Sequence, residues 1–372
     1  MAVLFCVALI FGYIYEDSDS LIVYDDTLTI CGHHLYNLKI HIADESRLMI
    51  RPWAGSDSTG WLFLSAPDIC VQGLSMICGD GAGYWGGTNT HANGYGAGYG
   101  VAGNLGGGAG GGGGYGGTGG DGGGIPGFGG IAYGNSSDTI IQMGSGGGTG
   151  RLGGVEGFGG NGGASIYFSA NTLIIDSSMI TVTGTIGYDA VIVAGGGGSG
   201  GGIMMWGDTV VLRAAILGLD GGPGGNTDQY DGYGGGGAGG GRLKIFYSSS
   251  FDTSNLEITR QGGGAGIGGW GNGQPGMPGS VHIGQQTGIL EIMSGVDQTL
   301  AIQPNPTLGI IHMRTARAPI EVHVYDCAGR EVRTINLATE DHIADLRGLK
   351  PGVYFLKSQD FGDLINKLII AR

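Results

Sequence analysis

Residues 195–206 read GGGGSGGGIMMW and residues 234–246 read GGGGAGGGRLKIF, so a glycine-rich octet runs directly into a short apolar segment in both places. Gly202 and Gly241 end the two octets, and Gly163 precedes a third apolar segment of the same kind. The step between these three glycines is 39 residues each time. A constant step of this size is typical of repeat proteins in which each unit packs on the next.

The apolar segments themselves predict β-strands. They are short, rich in β-branched residues and bounded by Gly, Ser, Asp or Asn, as in Ile166–Ser169, Leu173–Ile175 and Val210–Leu212. Segments of this length are too short for helices. Because such units cannot bury an apolar face alone, the predicted fold class is all-β, with a glycine-rich, β-solenoid-like repeat body.

The glycine tracts between the strands allow two interpretations. They are either flexible linkers or ordered polyglycine in a polyproline II-like geometry, packed closely because no side chain intervenes. A linker has no reason to keep phase with the strands, so we favour order for the octets at 195–202 and 234–241. The tract 79–163 has few strand-like segments, and ordering glycine costs much conformational entropy. For that tract both interpretations stay open.

Composition divides the chain into two modules. Glycine accounts for 87 of 372 residues, about 23% against a usual ~7%. Only 5 of these glycines lie in residues 297–372, which also hold equal numbers of acidic and basic residues. The net charge of −14 therefore belongs to residues 1–296. We predict an acidic glycine-rich β-repeat region at 19–296 and a separate domain at 297–372.

The same composition excludes several classes. The glycines keep no three-residue period, so a collagen triple helix is excluded. Residues 52–150 contain no Lys or Arg, and such an acidic surface would repel nucleic acid. We expect no nucleic-acid partner.

The N-terminus begins with an apolar run, Ala2–Tyr15, followed by acidic residues. This length fits the apolar region of a signal peptide, and we predict a signal at residues 1–18, although a basic start and a clear cleavage site are missing. The alternative is a first strand. The cysteines show no CxxC spacing, and we favour free, buried, core-filling thiols over a zinc site or disulfides. These cysteines are Cys6, Cys31, Cys70, Cys78 and Cys327.

No residue of the body predicts catalysis, and we expect no metal and no cofactor. His33 and His34 are adjacent but have no third ligand at metal spacing. Asp220, Asp228 and Asp231 could offer oxygens to calcium, but turn formation is the favoured interpretation. Aromatic residues among the glycines could stack on sugars or could fill gaps between glycine strands. These are Tyr84, Trp85, Tyr95, Tyr99, Tyr115 and Tyr133.

The C-terminal segment has ordinary strand patterning. Ile320–Tyr325 and Val353–Lys357 alternate apolar and polar residues, with turn signals at Asp326–Arg330 and Lys350–Gly352. Strands at this spacing without a helical period predict a small Ig-like antiparallel β-sandwich.

Four motifs follow each other in this segment. The first is Pro304-Asn305-Pro306-Thr307, and the second comprises Val322, Val324, Tyr325, Asp326, Gly329 and Arg330. The third comprises Leu346, Leu349, Pro351, Gly352, Val353 and Tyr354, and the fourth is Lys367-Leu368-Ile369. Together, over Ile302–Arg372, they resemble the type A C-terminal sorting domain of the bacterial type IX secretion system. The sequence departs from the family pattern at Leu308, where Asn is usual, and at Cys327 within the turn.

The resemblance implies a sorting address rather than an active site. Such cargo enters the periplasm by the general secretory route, crosses the outer membrane, and is released or fixed to surface lipopolysaccharide. The implied partners are the type IX machinery and lipopolysaccharide. The implied location is secreted or on the outer-membrane cell surface. The resemblance also favours a true signal at the N-terminus.

The resulting prediction is a secreted, cell-surface structural or adhesive protein without catalytic activity. The body is similar in composition to glycine-rich β-repeat regions of bacterial surface proteins. One alternative is a β-solenoid module that binds polysaccharide through Tyr and Trp, or, less favoured, ice. Another is a β-helix polysaccharide lyase, which would need clustered acidic and basic residues on one strand face.

Overall fold

The computed structural model describes residues 12–55, 59–227, 231–285, 301–303, 310–314, 320–338, 341–358 and 365–370. The fold is all-β, as predicted, and none of the residues in these ranges is helical. Within them, no helix is long and apolar enough to span a lipid bilayer. The chain divides into two compact units, Met1–Gly288 and Ile289–Arg372. The boundary predicted from composition, at 296/297, lies outside the described residues.

Most strands of the first unit pair in parallel. Its strands are β1 (Tyr13–Glu16), β2 (Ser20–Tyr24), β3 (Thr27–Ile30), β4 (Gly32–Leu35), β5 (Lys39–Ala43), β6 (Arg47–Ile50), β7 (Trp61–Ser65), β8 (Asp68–Val71), β9 (Met76–Cys78), β10 (Gly106–Gly108), β11 (Gly150–Leu152), β12 (Val155–Gly157), β13 (Ser165–Asp176), β14 (Met179–Thr181), β15 (Gly202–Arg213), β16 (Ile216–Gly218), β17 (Arg242–Ser254), β18 (Glu257–Thr259) and β19 (Ser280–Gln285).

Two main sheets share these strands. The first has the order β1-β2-β5-β8-β13-β15-β17-β19, with β4 and β7 also attached, and the second has the order β18-β16-β14-β9-β6-β3. Successive passes of the chain contribute one strand to each sheet, as β13 and β14, then β15 and β16, then β17 and β18. Pairing in both sheets is parallel, apart from the antiparallel edge pair β1–β2. A third, small sheet joins β10, β11 and β12, and its pairs β10–β11 and β11–β12 are antiparallel.

The register shows that the units are stacked but not equally long. Ser165 of β13 pairs with Gly202 of β15, 37 residues further on. Gly202 pairs with Arg242 of β17 after 40 residues, and Arg242 with Ser280 of β19 after 38. The constant step of 39 residues is therefore wrong by one or two residues. Aligning glycines ignores the register of the strands, which also shifts between Gly207 and Thr209 of β15.

Inward-facing side chains form a continuous core. Ile166 lies in register between Leu62 and Ile203, and Ile203 pairs with Leu243. All four are at most 1% exposed, and they share one buried cluster with Ile180 of the second sheet. Alternate residues of a strand point to opposite faces, so every second side chain enters this cluster. Each fully buried aliphatic side chain contributes about 1.5–3 kcal/mol relative to exposure.

The thiols fill the core less than predicted. Cys31, Cys70 and Cys78 are free and half-buried, and Cys327 is free and exposed. Burial raises the pKa of the Cys70 and Cys78 thiols, which makes them less reactive. The core-filling interpretation is wrong for Cys327, whose side chain lies in a solvent-exposed turn. Cys6 lies outside the described residues.

The edge of the first sheet overlaps the predicted signal peptide. β1 pairs antiparallel with β2, and the rings of Tyr13 and Tyr24 stack at a centroid distance of 5.6 Å. The predicted signal, residues 1–18, therefore includes a segment that forms a strand in this structure. Residues 1–11 lie outside the described residues.

Glycine-rich segments that connect the strands hydrogen-bond to one another with a period of three. Within the central segment, residues 109–114, the N–H groups of Gly110 and Gly113 donate to the carbonyls of Ala194 and Gly197. Two other pairs of donors follow the same spacing. Gly111 donates to the carbonyl of Val101 and Gly114 to the carbonyl of Gly98. Ala109 donates to the carbonyl of Gly123 and Gly112 to the carbonyl of Gly120. Three residues per turn is the repeat of a polyproline II helix.

The carbonyls of the central segment accept hydrogen bonds from three further segments. The donors are Gly127 and Gly130, Gly236 and Gly239, and Gly148. Six segments thus surround residues 109–114. We call this assembly the glycine bundle; it comprises 98–101, 109–114, 120–123, 127–130, 145–148, 194–197 and 236–239.

Close backbone approach explains why these positions are glycine. A Cβ at Gly111 would overlap the carbonyl oxygen of Phe128, and a Cβ at Gly112 would overlap that of Gly237. The central segment lies within 79–163, the tract whose order the sequence leaves open. Both octets contribute neighbouring segments. The tracts are therefore hydrogen-bonded structure in this protein, not linkers.

The second unit contains antiparallel strands. They are β20 (Ala301–Gln303), β21 (Ile310–Arg314), β22 (Ile320–Asp326), β23 (Glu331–Leu337), β24 (Asp341–Asp345), β25 (Gly352–Lys357) and β26 (Ile365–Ile370). One sheet has the order β20-β21-β24 and the other β23-β22-β25-β26. Ile311 and Met313 of the first sheet share one buried cluster with Val322, Val324 and Leu356 of the second. This is the antiparallel, two-sheet arrangement that the alternation predicts.

Candidate functional site

The turn between β22 and β23 is closely hydrogen-bonded. A carboxylate oxygen of Asp326 accepts the backbone N–H groups of Ala328 (2.9 Å) and Arg330 (3.0 Å). The other oxygen accepts Arg330 Nε at 2.9 Å. Gly329 has a φ of +75°, a conformation that L side chains rarely adopt. The Asp-x-x-Gly-Arg spacing therefore has a local physical reason: the Asp binds the turn's N–H groups and the Gly permits the turn.

Protonation of Asp326 should weaken this turn. The Arg330 side chain, then its backbone N–H and that of Ala328, hold the pKa of Asp326 below its usual value. A lowered folded-state pKa means that these bonds stabilise the fold at neutral pH, and that the stabilisation is lost as the pH falls through the folded-state pKa. We expect Arg330→Gln to raise the pKa of Asp326 toward its usual value, measured by NMR titration of the carboxyl carbon.

Asp345 provides the internal control for this titration. Arg347 lowers the pKa of Asp345 by a separate set of hydrogen bonds. Its titration should not change in the Arg330→Gln variant. An unchanged Asp326 pKa in that variant would contradict the assigned role of Arg330.

The other predicted motif residues take structural positions. Val324 is buried in β22 and Tyr325 is half-buried. Leu349 packs against the core cluster, and the hydroxyl of buried Tyr354 donates to the carbonyl of Lys350 at 2.8 Å. Three others, Pro351, Gly352 and Val353, are exposed. Lys367 belongs to β26, where its backbone is in register with Phe355, and Pro304, Asn305 and Pro306 lie outside the described residues.

In the first unit, aromatic side chains form a row on the face of the first sheet opposite the core. This aromatic row consists of His33, Trp61, Phe63, Tyr167, Trp206, Phe246 and His282. Ring centroids are 5.0 Å apart for His33 and Phe63, and 4.7 Å for Phe63 and Tyr167. Further along, Phe246 lies 5.2 Å from Trp206 and 5.4 Å from His282. Parallel, in-register strands place equivalent positions side by side, and two such groups lie within the row. His33, Phe63 and Tyr167 are in register with one another. Trp206 and Phe246 pair with each other, whereas the register partner of Tyr167 is Met204.

A segment from the glycine-rich tract, residues 133–143, lies over part of this row; we call it the strap. Arg242 Nη2 donates to the carbonyl of Tyr133 at 2.9 Å. Lys244 Nζ donates to the carbonyls of Asp138 (3.0 Å) and Ile140 (2.6 Å), and to Asp138 Oδ1 at 2.5 Å. A cavity of about 400 Å³ is lined by strap residues and by members of the row, among them Trp61.

The ion pair between Lys244 and Asp138, which holds the strap, is fully buried at Lys244 but not at Asp138. The Lys244 side chain is 0% exposed, whereas that of Asp138 is 35% exposed. Partial burial is the largest single effect and raises the pKa of Asp138. The hydrogen bonds from Lys244 and from the Ile140 N–H, together with the charges of Lys244 and Arg242, outweigh it, and the pKa is lowered. The ammonium group is therefore paired with an ionised carboxylate and also donates to two carbonyls.

Removing the carboxylate should destabilise the protein. We expect Asp138→Ala to reduce the free energy of unfolding by about 2 kcal/mol, below the 3–5 kcal/mol typical of fully buried pairs because Asp138 is partly solvated. Urea unfolding followed by circular dichroism measures this. The double variant Asp138→Ala/Lys244→Met removes the stranded charge and should recover at least half of the loss. A double variant no more stable than Asp138→Ala would contradict the electrostatic explanation.

A second cavity, of about 440 Å³, opens beside the glycine segments. Trp85, Tyr95, Phe158 and Tyr188 line it, with backbone glycines between them. We call it the aromatic cleft. Trp85 is 38% exposed, Phe158 37% and Tyr188 61%, so three of its rings present surface to solvent.

The sequence left two interpretations open for six aromatic residues, stacking on sugars or filling gaps between glycine strands, and the structure divides them. Tyr115 is 1% exposed, and Tyr133 donates its hydroxyl to the carbonyl of Met143, so both fill gaps. Burial raises the pKa of both phenols far above the usual value. Trp85 and Tyr99 are exposed. The remaining two, Tyr84 and Tyr95, pack on Trp53 at centroid distances of 5.1 and 5.4 Å.

The candidate metal ligands have other partners. Asp220 Oδ1 accepts the backbone N–H of Gln261 at 2.5 Å, so this carboxylate joins two segments that are far apart in sequence and does not close a local turn. Asp228 lies outside the described residues. His33 packs on Trp61, and His34 Nε2 lies 3.0 Å from the carbonyl of Cys31. In the described ranges, no group of three or more His, Cys, Asp or Glu side chains is placed to hold a metal ion.

Several of these residues were not predicted from the sequence. Trp206 and Phe246 alternate with core residues along their strands, and that alternation was a usable signal. Phe158 and Tyr188 carry no such pattern, because glycine segments leave no side-chain period to follow. The burial of Lys244 depends on a strap more than a hundred residues earlier in the chain.

Comparison with known families identifies the second unit. Residues 301–371 match the family described as the secretion system C-terminal sorting domain. The two antiparallel sheets and their Asp326–Arg330 turn therefore belong to an export-address domain. The domain is the C-terminal sorting domain of the type IX secretion system, which confirms the identification from the four motifs. It implies interaction with that machinery and a secreted or cell-surface location. No curated protein matches the chain.

Proposed function

We propose that the protein is a non-catalytic structural or adhesive component of the outer-membrane cell surface, delivered there by its sorting domain. One observation carries the proposal: the same chain contains the sorting domain and a body that includes the closely packed backbone of the glycine bundle. In this proposal the body is a β-solenoid whose polyglycine segments have polyproline II-like geometry, and the sorting domain is an Ig-like sandwich. Surface lipopolysaccharide is the proposed anchor.

The physical character of the body supports a scaffold. The glycine bundle replaces side chains with backbone hydrogen bonds, so few functional groups remain in it. The net charge of −14 keeps such a protein soluble and apart from other anionic surfaces. A stack of parallel strands has length without needing further domains, which suits a spacer or coat.

A second candidate function is polysaccharide binding. The aromatic row favours it, because the solvent-accessible rings of the row offer faces on which a sugar unit can stack. Half-buried Trp61 and Tyr167 and exposed His33 are its accessible members near the first cavity.

Two measurements test these proposals. Intact cells producing the chain are labelled with a membrane-impermeant reagent, and labelling is expected; an unlabelled chain would overturn surface delivery. The purified chain is then incubated with insoluble polysaccharides, and both retention and newly released reducing ends are measured. A scaffold gives neither, and a binding module gives retention alone. Release of reducing ends would overturn the non-catalytic proposal.

A further inference from the structure

We propose that the aromatic cleft binds an uncharged sugar unit of a glycan. The inference rests on the polysaccharide-binding form of the proposed function, but it places the ligand in the cleft instead of on the aromatic row. The structure assigns the cleft three features that suit a pyranose ring: exposed aromatic faces, a rigid floor and neutral polar groups.

The aromatic faces come in two pairs. Trp85 and Tyr95 are in edge contact with centroids 6.0 Å apart, and Phe158 and Tyr188 are in edge contact at the same distance. Tyr95 is held from behind by His91, whose ring stacks on it at 4.1 Å. Rings with fixed partners lose little entropy on binding, and their faces can pack against the C–H surface of a sugar.

The floor of the cleft is backbone. The N–H of Gly159 donates to the carbonyl of Gly87 at 3.0 Å. The N–H of Gly87 donates to the carbonyl of Gly147 at 2.8 Å. Asn161 Oδ1 accepts the N–H of Gly86 at 2.9 Å. Glycine at these positions lets the segments pack closely, because a Cβ at Gly86, Gly87 or Gly159 would overlap a backbone carbonyl oxygen. The hydrogen bonds therefore fix the floor before a ligand arrives.

The polar groups of the cleft are uncharged. Thr88, Thr90 and Asn161 supply hydroxyl and amide groups, and the Oγ1 atoms of the two threonines are 3.2 Å apart. Hydroxyls and amides both donate and accept, as sugar hydroxyls require. A purely apolar ligand would bury them without partners, at a cost in free energy.

The lack of charged residues in the cleft favours neutral glycans over anionic ones. None of the residues that line the cleft is Asp, Glu, Lys or Arg, so the cleft offers no cation to pair with a uronate or sulfate. The net charge of −14 adds long-range repulsion of anionic chains. The expected ligand is therefore a neutral hexopyranose unit.

The test measures binding to the full-length chain by titration calorimetry. The probes are cellohexaose, laminarihexaose and mannohexaose, with hexagalacturonate as the anionic counterpart. At least one neutral probe is expected to bind, and the anionic one should bind about tenfold more weakly or not at all. Trp85→Ala and Tyr188→Ala are each expected to weaken binding about tenfold, as truncation of a central aromatic contact usually does.

Trp270→Ala is the matched control, because Trp270 is 57% exposed and does not line the cleft. It should bind as the unaltered chain does. Thermal melting checks that each variant is folded, and Tyr188, the most exposed of the rings, provides a variant with little effect on packing. If binding persists in both cleft variants but is lost in Trp61→Ala, the aromatic row is the site and the cleft inference is wrong. Absence of binding to any neutral probe also overturns it, while surface labelling remains a separate test of the scaffold.

Discussion

The Gly111→Ala variant is expected to lose about 3 kcal/mol of unfolding free energy, although it adds a single methyl group. Gly111 lies in the centre of the glycine bundle, donates to Val101 and accepts from Gly148. The added Cβ would overlap the carbonyl oxygen of Phe128. Because backbone, and not a flexible side chain, fills that space, the segments must separate and their hydrogen bonds must lengthen. Urea unfolding followed by circular dichroism measures the loss.

Gly264→Ala is the control for this experiment. Gly264 also lies in a glycine-rich tract, but it is exposed and a Cβ there has no atom within 4 Å. Its stability should stay within about 0.5 kcal/mol of the unaltered chain. Equal stability of the two variants would mean that the glycine segments are not packed as described.

Deletion of residues 301–371 is expected to abolish delivery to the cell surface. These residues form the whole of the match to the sorting domain, so the remaining chain has lost the address that the type IX machinery reads. In a bacterium with that machinery, the truncated chain should accumulate inside the outer membrane. Immunoblots of the medium, the surface-labelled fraction and the periplasmic fraction measure the distribution.

Cys327→Ser is the matched variant for the export experiment. Cys327 is exposed and free, and it lies inside the turn that Asp326 and Arg330 stabilise, where the sequence departs from the family pattern. Serine keeps the size of the side chain and leaves those hydrogen bonds intact. Export at the level of the unaltered chain is expected. A truncated chain that reached the surface as efficiently as the intact one would show that export does not depend on the domain.

The positions of the strands were predictable from the sequence, but the register between them was not. The apolar segments around Ile166, Ile203 and Leu243 indicate strands because their length and residue types leave no alternative. The register between them was misjudged, since the glycines chosen for the alignment do not occupy equivalent positions. Gly202 is the first residue of β15, whereas Gly163 and Gly241 precede the first residues of β13 and β17. The shift between Gly207 and Thr209 has no sequence signature of its own.

The glycine bundle and the aromatic cleft were beyond prediction for a related reason. Glycine has no side chain, so nothing in the sequence states which glycine segment lies beside which. The choice depends on backbone hydrogen bonds such as that from Gly110 to Ala194. Trp85 and Tyr188 line one cavity because these bonds bring their segments together. The sorting domain differs, since its turn residues act within a few positions of one another and the motif therefore describes the geometry directly.

The glycine bundle also bears on how the protein is expected to respond to proteases. Digestive enzymes select their targets by side chain and must draw several residues of extended backbone into their active sites. Residues 52–150 offer trypsin-like enzymes no Lys or Arg at all. The peptide groups of residues 109–114 are already engaged with neighbouring segments. We therefore expect the body to resist proteolysis although its thiols Cys31, Cys70 and Cys78 are free.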